Sequence, residues 1–243
     1  MPRNGFPEAE VFEIKKIKLN NPIIFAGFVG AGLAGSIAVG YIIEKLKMKE
    51  IGYMRSKYLP PATVFMRGRL RHPFRFYSNE KGTICGIICE ITLRTEGLYT
   101  IASSILDWAE KNGSNEIVII DGVASDEGHD KKAFCAAEED LCRIMADKGI
   151  EMVPQGFVTG IPGAILNECI IRKIRGVTLL VRANPKEPDP VAAATLVDAV
   201  NRTYETKIDV SDLRSQSEQI GHDFKELSEK YSEARKSDSD MYM

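Results

Sequence analysis

The sequence is poor in the residues on which most site chemistry is built. Three histidines occur, His72, His129 and His222, far apart in the chain, so no His-based metal set or catalytic pair can be read from spacing. The five cysteines, Cys85, Cys89, Cys135, Cys142 and Cys169, are odd in number and include no CxxC. That pattern gives no disulfide framework and no zinc ribbon. Cys85 and Cys89 fall in an apolar, β-like run, where reduced core thiols are expected. Neither sign of charge is in excess. Thirty-two basic residues stand against 34 acidic ones, for a formal net charge of -2, which leaves no electrostatic footprint for nucleic acid or an anionic membrane. The basic cluster Arg67, Arg69, Arg71 and Arg75 reads as a solvated strand or loop edge. The longest apolar stretch, 22–43, is interrupted by Gly27, Gly30, Gly32, Gly35 and Gly40, a pattern of strand, turn and buried helix rather than a membrane span. Near the start, Glu8, Glu10 and Glu13 occupy the place of an apolar leader core, and a cytoplasmic location is expected.

What is present is an α/β pattern. Short apolar runs alternate with segments of helical period. Strands are expected at 11–18, 22–26, 50–55, 116–121 and 177–182, and two or three antiparallel strands over 63–77 and 83–92, joined by the turn cluster 79–82. Helices are expected at 33–46, 98–111 (ended by Gly113), 133–148 (ended by Gly149), 164–173 and 191–204. Runs such as Ile117-Val118-Ile119-Ile120 are apolar at every position, the mark of a strand covered on both faces. The expected fold is therefore α/β, with a mixed, largely parallel sheet between helical layers. The core domain spans 1–207.

Two glycine segments are candidate ligand loops. Gly30, Gly32 and Gly35 fit GxGxxG between a strand and a helix, with Gly27 just before, the setting in which backbone N–H groups receive a phosphate. The next strand, 50–55, runs out into Arg55, Ser56 and Lys57 rather than the acidic residue that would hold a ribose, so close backbone packing is the favoured use of these glycines. Gly160 and Gly163 also precede a helix, without a Lys, Ser or Asp arranged for catalysis. The polar loop with Asp121, Asp126, Glu127, His129 and Asp130 fits no calcium loop. Ser103-Ser104 sits inside a predicted helix without a nucleophile elbow. No catalytic constellation, cofactor or metal site is expected.

After residue 207 the composition turns polar. Leu213, Ile220, Phe224, Leu227 and Tyr231 recur at steps of seven, four, three and four, a heptad seam over an amphipathic extension, 208–236. So narrow an apolar stripe is marginal in isolation and requires something to pack against. A flexible tail, 237–243, follows: Ser237-Asp238-Ser239-Asp240, then Met241-Tyr242-Met243. Apolar and aromatic residues are out of place on a solvated string, and the tripeptide reads as a peptide made for a pocket.

The strand and glycine turn Ile23–Gly30, the helix containing Tyr41-Ile42-Ile43-Glu44-Lys45-Leu46, the strand Ile117–Gly122, the segment Gly160–Leu166 and Pro188-Asp189-Pro190-Val191-Ala192-Ala193 together resemble the proteasome assembly chaperone family in its archaeal form. The resemblance covers about Val11 to Val200. It implies an α/β sandwich similar to the phosphorylase/hydrolase-like fold, no known catalysis, and homo-oligomers. Some members resemble proteasome activators in ending with hydrophobic–tyrosine–any, the pattern of Met241-Tyr242-Met243. The implied partners are core proteasome α-subunits and further copies of the chain, with no nucleic acid and no membrane. Two other readings stay open: a phosphate- or nucleotide-binding enzyme of the nucleoside-phosphorylase kind that uses the glycine loops, and a scaffold that binds another protein through the 210–235 helix.

Overall fold

In the computed structural model the described residues are 7–15, 17–66, 68–125 and 131–215, with the isolated positions 219, 222, 225, 226, 229 and 230 beyond them. In chain order the elements are β1 (Glu10–Glu13), β2 (Ile23–Gly27), α1 (Ala34–Lys45), β3 (Lys49–Arg55), β4 (Val64–Met66), β5 (Arg69–Arg71), β6 (Phe74–Ser78), β7 (Ile84–Cys89), α2 (Leu98–Lys111), β8 (Glu116–Ala124), β9 (Ala133–Ala137), α3 (Glu139–Asp147), β10 (Glu151–Met152), α4 (Gly160–Arg172), β11 (Arg175–Ala183), α5 (Pro190–Tyr204) and α6 (Ser211–Ser215). Nine strands form one mixed sheet in the order β1-β3-β6-β7-β2-β8-β11-β9-β10, and β4 and β5 form a separate hairpin. The centre, β7-β2-β8-β11, is parallel. The flanking pairs β1–β3, β3–β6, β6–β7 and β9–β11 are antiparallel.

Helices cover both faces, as the doubly apolar strands require. On one face α1 and α5 pack with Phe25, Val118, Ile120 and Leu179; on the other α2 and α4 pack with Ile24, Ile117, Ile119 and Ile87. Ile117 to Ile120 are all fully buried, and each such side chain contributes roughly 1.5–3 kcal/mol of burial. Helix α2 has the predicted limits, and Gly113 ends it at φ +73°, a left-handed conformation that a glycine adopts without a Cβ clash. No helix among the described residues is long and apolar enough to cross a membrane.

The structure departs from expectation in five places. The predicted helix 133–148 divides into β9 and α3. Its first five residues, Ala-Phe-Cys-Ala-Ala, pair antiparallel with β11, so sheet pairing overrides their local helical preference. The predicted strand 11–18 is only β1, and helix 164–173 begins earlier, at Gly160. Strand β3 does not neighbour β2; two strands stand between them. The Rossmann expectation of an acid at the end of the adjacent strand therefore does not transfer to this topology. Lastly, Arg75 is not solvated. Among the described residues it is the largest fully buried side chain, and its guanidinium bonds Glu90 Oε2, Tyr77 Oη and the His72 carbonyl, each at 2.7 Å.

The cysteines behave as the sequence suggested. All five are free thiols. Burial pushes Cys85, Cys89 and Cys169 up to about 12 and Cys135 up to about 11, which suppresses the thiolate that reactivity needs.

Candidate functional site

The glycine turn lies at the carboxyl ends of the central strands, the place where open α/β sheets put their ligand crevice. Strand β2 ends at Gly27, a short 3-10 turn spans Ala31–Leu33, and α1 follows from Ala34. Gly32 adopts φ +61° and Leu33 φ +49°, so the chain reverses hand just before the helix. The remaining glycines permit contact with neighbouring backbone and side chains. A Cβ on Gly27 would overlap the Gly35 carbonyl, one on Gly35 the Ile120 carbonyl, one on Gly122 the Ala31 carbonyl, and one on Gly30 the Asp121 carboxylate. At Gly32 it would come within 2.9 Å of the Asp189 Cβ. Ser36, in the first turn of α1, donates from its hydroxyl to the Phe28 carbonyl at 2.8 Å and fixes the turn from the helix side.

Two carboxylates frame this turn, and their surroundings differ. Asp189 accepts from Ala192 N at 2.9 Å, capping α5 ahead of Pro190, and from Lys131 Nζ at 2.6 Å and Asn184 N at 3.1 Å. Its own N–H donates to the Gly32 carbonyl at 2.7 Å. Asp121 accepts from the N–H of Gly122 at 2.8 Å. Burial raises its carboxyl to about 6, a shift that this hydrogen bond only partly offsets. The Asp-before-Pro signal for Asp189 is readable in sequence. The meeting of Asp121 with Gly30 is not, because it depends on β8 lying beside β2.

Gly160 and Gly163 open α4, whose Ile161, Ala164 and Ile165 pack on the α2 face. A Cβ on Gly163 would meet the Val158 carbonyl. The close contacts of Gly27–Gly35 run to β8, Ala183, Asn184 and Asp189 and none reaches the second glycine segment, so the structure does not combine the two into one loop pair. Asp126, Glu127, His129 and Asp130 of the polar loop lie outside the described residues.

The extension begins against the body. Leu213, the first residue of the expected seam, is 1% exposed and joins the core beside α5 with Ile208. Tyr41 donates to the Asp209 carbonyl at 2.8 Å, and Lys45 pairs with Asp212 at 2.5 Å. Arg214 pairs with Asp198, and Lys225 with Glu187 at 3.0 Å, so Lys225 lies toward the N-terminal end of α5. Ile220, Phe224, Leu227 and Tyr231, and the terminal Met241, Tyr242 and Met243, lie outside the described residues.

The fold has close relatives among solved structures. A Thermoplasma acidophilum protein of unknown function superposes with a TM-score of 0.85 at 32% identity, over 90% of this chain and 91% of that one. Pyrococcus furiosus PbaA, described as an archaeal homolog of proteasome-assembly chaperone, superposes with a TM-score of 0.83 at 26% identity, over 93% and 99%. An uncharacterized protein of Methanocaldococcus jannaschii is 28% identical over 90% of each chain. The sequence model of the PAC2 family matches residues 24–228, nearly all of the body just described, and the protein belongs to the PAC2 family.

Proposed function

We propose that this protein is a non-enzymatic, homo-oligomeric proteasome assembly chaperone or activator-like factor of the cytoplasm, and that it docks on the α-ring of the core proteasome through Met241-Tyr242-Met243. The observation that carries this reading is the similarity to PbaA over 93% of the chain, joined to a hydrophobic–tyrosine–any tripeptide at the end of the sequence. The chemistry of the tripeptide suits a socket. Taken as the chain's own terminus, Met243 offers a carboxylate to a lysine between adjacent α-subunits, a recurring mode of end-group capture. Tyr242 offers an aromatic body with a polar tip, and Met241 an adaptable apolar anchor. One such tail binds weakly, because ordering it costs conformational freedom. Several tails on one oligomer raise the effective concentration and strengthen attachment by about 10²–10⁴-fold. The seam residues Ile220, Phe224, Leu227 and Tyr231 serve as spacer or oligomer contact, and 235–240 supply reach.

The test is co-sedimentation of the full chain with core proteasome, with and without residues 241–243. Deletion is expected to abolish co-sedimentation and leave the oligomer intact. Undiminished binding by the truncated protein rules out the docking role.

A further inference from the structure

Strand β9 and helix α3 bring two thiols together. Residues 133, 135 and 137 share one face of β9, since side chains alternate along a strand. On that face Ala133 and Cys135 are buried in the core that also takes Leu141 and Met145 of α3. Only Glu138 separates the strand from the helix, so the first turn of α3 folds back over the strand it has just left. Cys142 lies in that turn. Its N–H donates to the Glu138 carbonyl at 2.9 Å, and its thiol donates to the Ala137 carbonyl at 3.2 Å. Both bonds draw Cys142 Sγ toward the strand, where it is in hydrogen-bond contact with the Cys135 thiol.

The two sulfurs differ in access. Cys135 is fully buried, and Cys142 is partly exposed. Cys85, Cys89 and Cys169 are buried in the core on the other face of the sheet. Cys85 and Cys89 stand four residues apart along β7, roughly 13 Å, too far to join. A disulfide brings its sulfurs to about 2.05 Å, with the Cβ atoms about 3.5–4.5 Å apart. Thiols already in contact reach that geometry through small side-chain rotations. An accessible thiol backed by a second thiol that can resolve it is the arrangement of a redox-responsive pair.

We propose that Cys135 and Cys142 close a reversible disulfide when the protein meets hydrogen peroxide, with Cys142 reacting first and Cys135 as the resolving thiol. The Cys142 sulfur attacks the peroxide O–O bond and becomes a sulfenic acid, and one water leaves. The Cys135 sulfur then attacks the Cys142 sulfur. The S–O bond breaks, and the departing hydroxide takes the Cys135 proton to form a second water. In all, two thiols lose two electrons and two protons, and one hydrogen peroxide is reduced to two waters. The bond ties the first turn of α3 to β9 and spares Cys142 from irreversible oxidation. A thiol reductant reverses it by exchange, so it is of the transient kind that reducing compartments permit.

The test treats the folded full chain with excess hydrogen peroxide, unfolds it in an alkylating agent and maps its peptides by mass. Alkylatable thiols are expected to fall from the five free ones to three, with one cross-linked peptide pair that contains Cys135 and Cys142. Dithiothreitol before alkylation restores all five. In Cys142→Ser the four remaining thiols stay alkylatable. In Cys135→Ser no cross-link forms, and Cys142 advances to sulfinic and sulfonic acid because nothing resolves it. The wild-type peptide map decides the matter by itself if a serine variant fails to fold. Five alkylatable thiols after treatment overturn the proposal. So does wild-type Cys142 over-oxidised beside a free Cys135, or a cross-link that joins two copies or involves Cys85, Cys89 or Cys169.

Discussion

At the centre of the sheet, β2 and β8 meet their helices with Ile, Val, Phe and Ala on both faces, and glycines let the chain close to backbone contact. At the β3–β6 wing one face is polar. Arg75 lies between Glu90 at 2.7 Å and Glu50 at 3.8 Å, and Tyr77 donates to Glu50 at 3.1 Å. Tyr53 stacks on His72 and donates to Glu50 at 2.8 Å. Helix α1 packs against β2, β7 and β8; this face of the wing is held instead by charge and hydrogen bonds, while Ile51, Met54, Phe74 and Phe76 bury the other face in the second apolar core. The comparison teaches that similar burial can rest on opposite terms. The centre is stabilised by apolar area and sensitive to volume. The wing is sensitive to the loss of either member of a charge pair, because a lone buried ion is costly while a matched replacement is not.

Three substitutions probe this contrast. Arg75→Met leaves Glu90, whose side chain is 8% exposed, without its counter-charge. A loss of about 3–5 kcal/mol is expected, read as a large drop in the urea midpoint. Adding Glu90→Gln should return most of that loss. A double variant as unstable as the single one would show that the network's hydrogen bonds, not its balanced charge, hold the wing. At the centre, Gly35→Ala drives a methyl into the Ile120 carbonyl and should cost about 3 kcal/mol by overpacking; an unchanged melting temperature would mean that the glycine turn is looser than its contacts indicate.

The smallest effect concerns Asp121, and it depends on pH. Its carboxyl is raised by burial from 3.8 to about 6 in the folded protein. The folded state therefore binds the proton more tightly than the unfolded chain. That stabilisation is complete below about pH 4 and is lost as pH rises through 6. Asp121→Asn keeps the acceptor for Gly122 N–H and abolishes the titration. The variant should gain about 1–2 kcal/mol over wild type at pH 7.5 relative to pH 4, allowing for partial solvent access of the carboxyl. Parallel stability-versus-pH curves for the two proteins would refute the assignment.

Much of the fold is legible along the chain. Helices α2 and α5 and the strands around Ile24, Ile119 and Leu179 follow from period, caps and apolar runs, since these signals act over neighbouring residues. The segment 133–137 was not legible as a strand, because its partner β11 lies some forty residues away. The burial of Arg75 was hidden for the same reason: Glu50 and Glu90 become its neighbours only when β3, β6 and β7 assemble. Of the candidate site, the glycines and the Asp189 cap could be read locally, while the approach of Asp121 to Gly30 could not.

The sequence by itself determined the α/β class, the doubly covered strands, the reduced state of the thiols and the family signature, because composition, periodicity and backbone freedom are properties of short stretches. Only the tertiary structure decided the strand order, the division of 133–148 into strand and helix, and the enclosure of Arg75. Those features arise from pairings between distant segments, whose energies appear only once the segments share a common core.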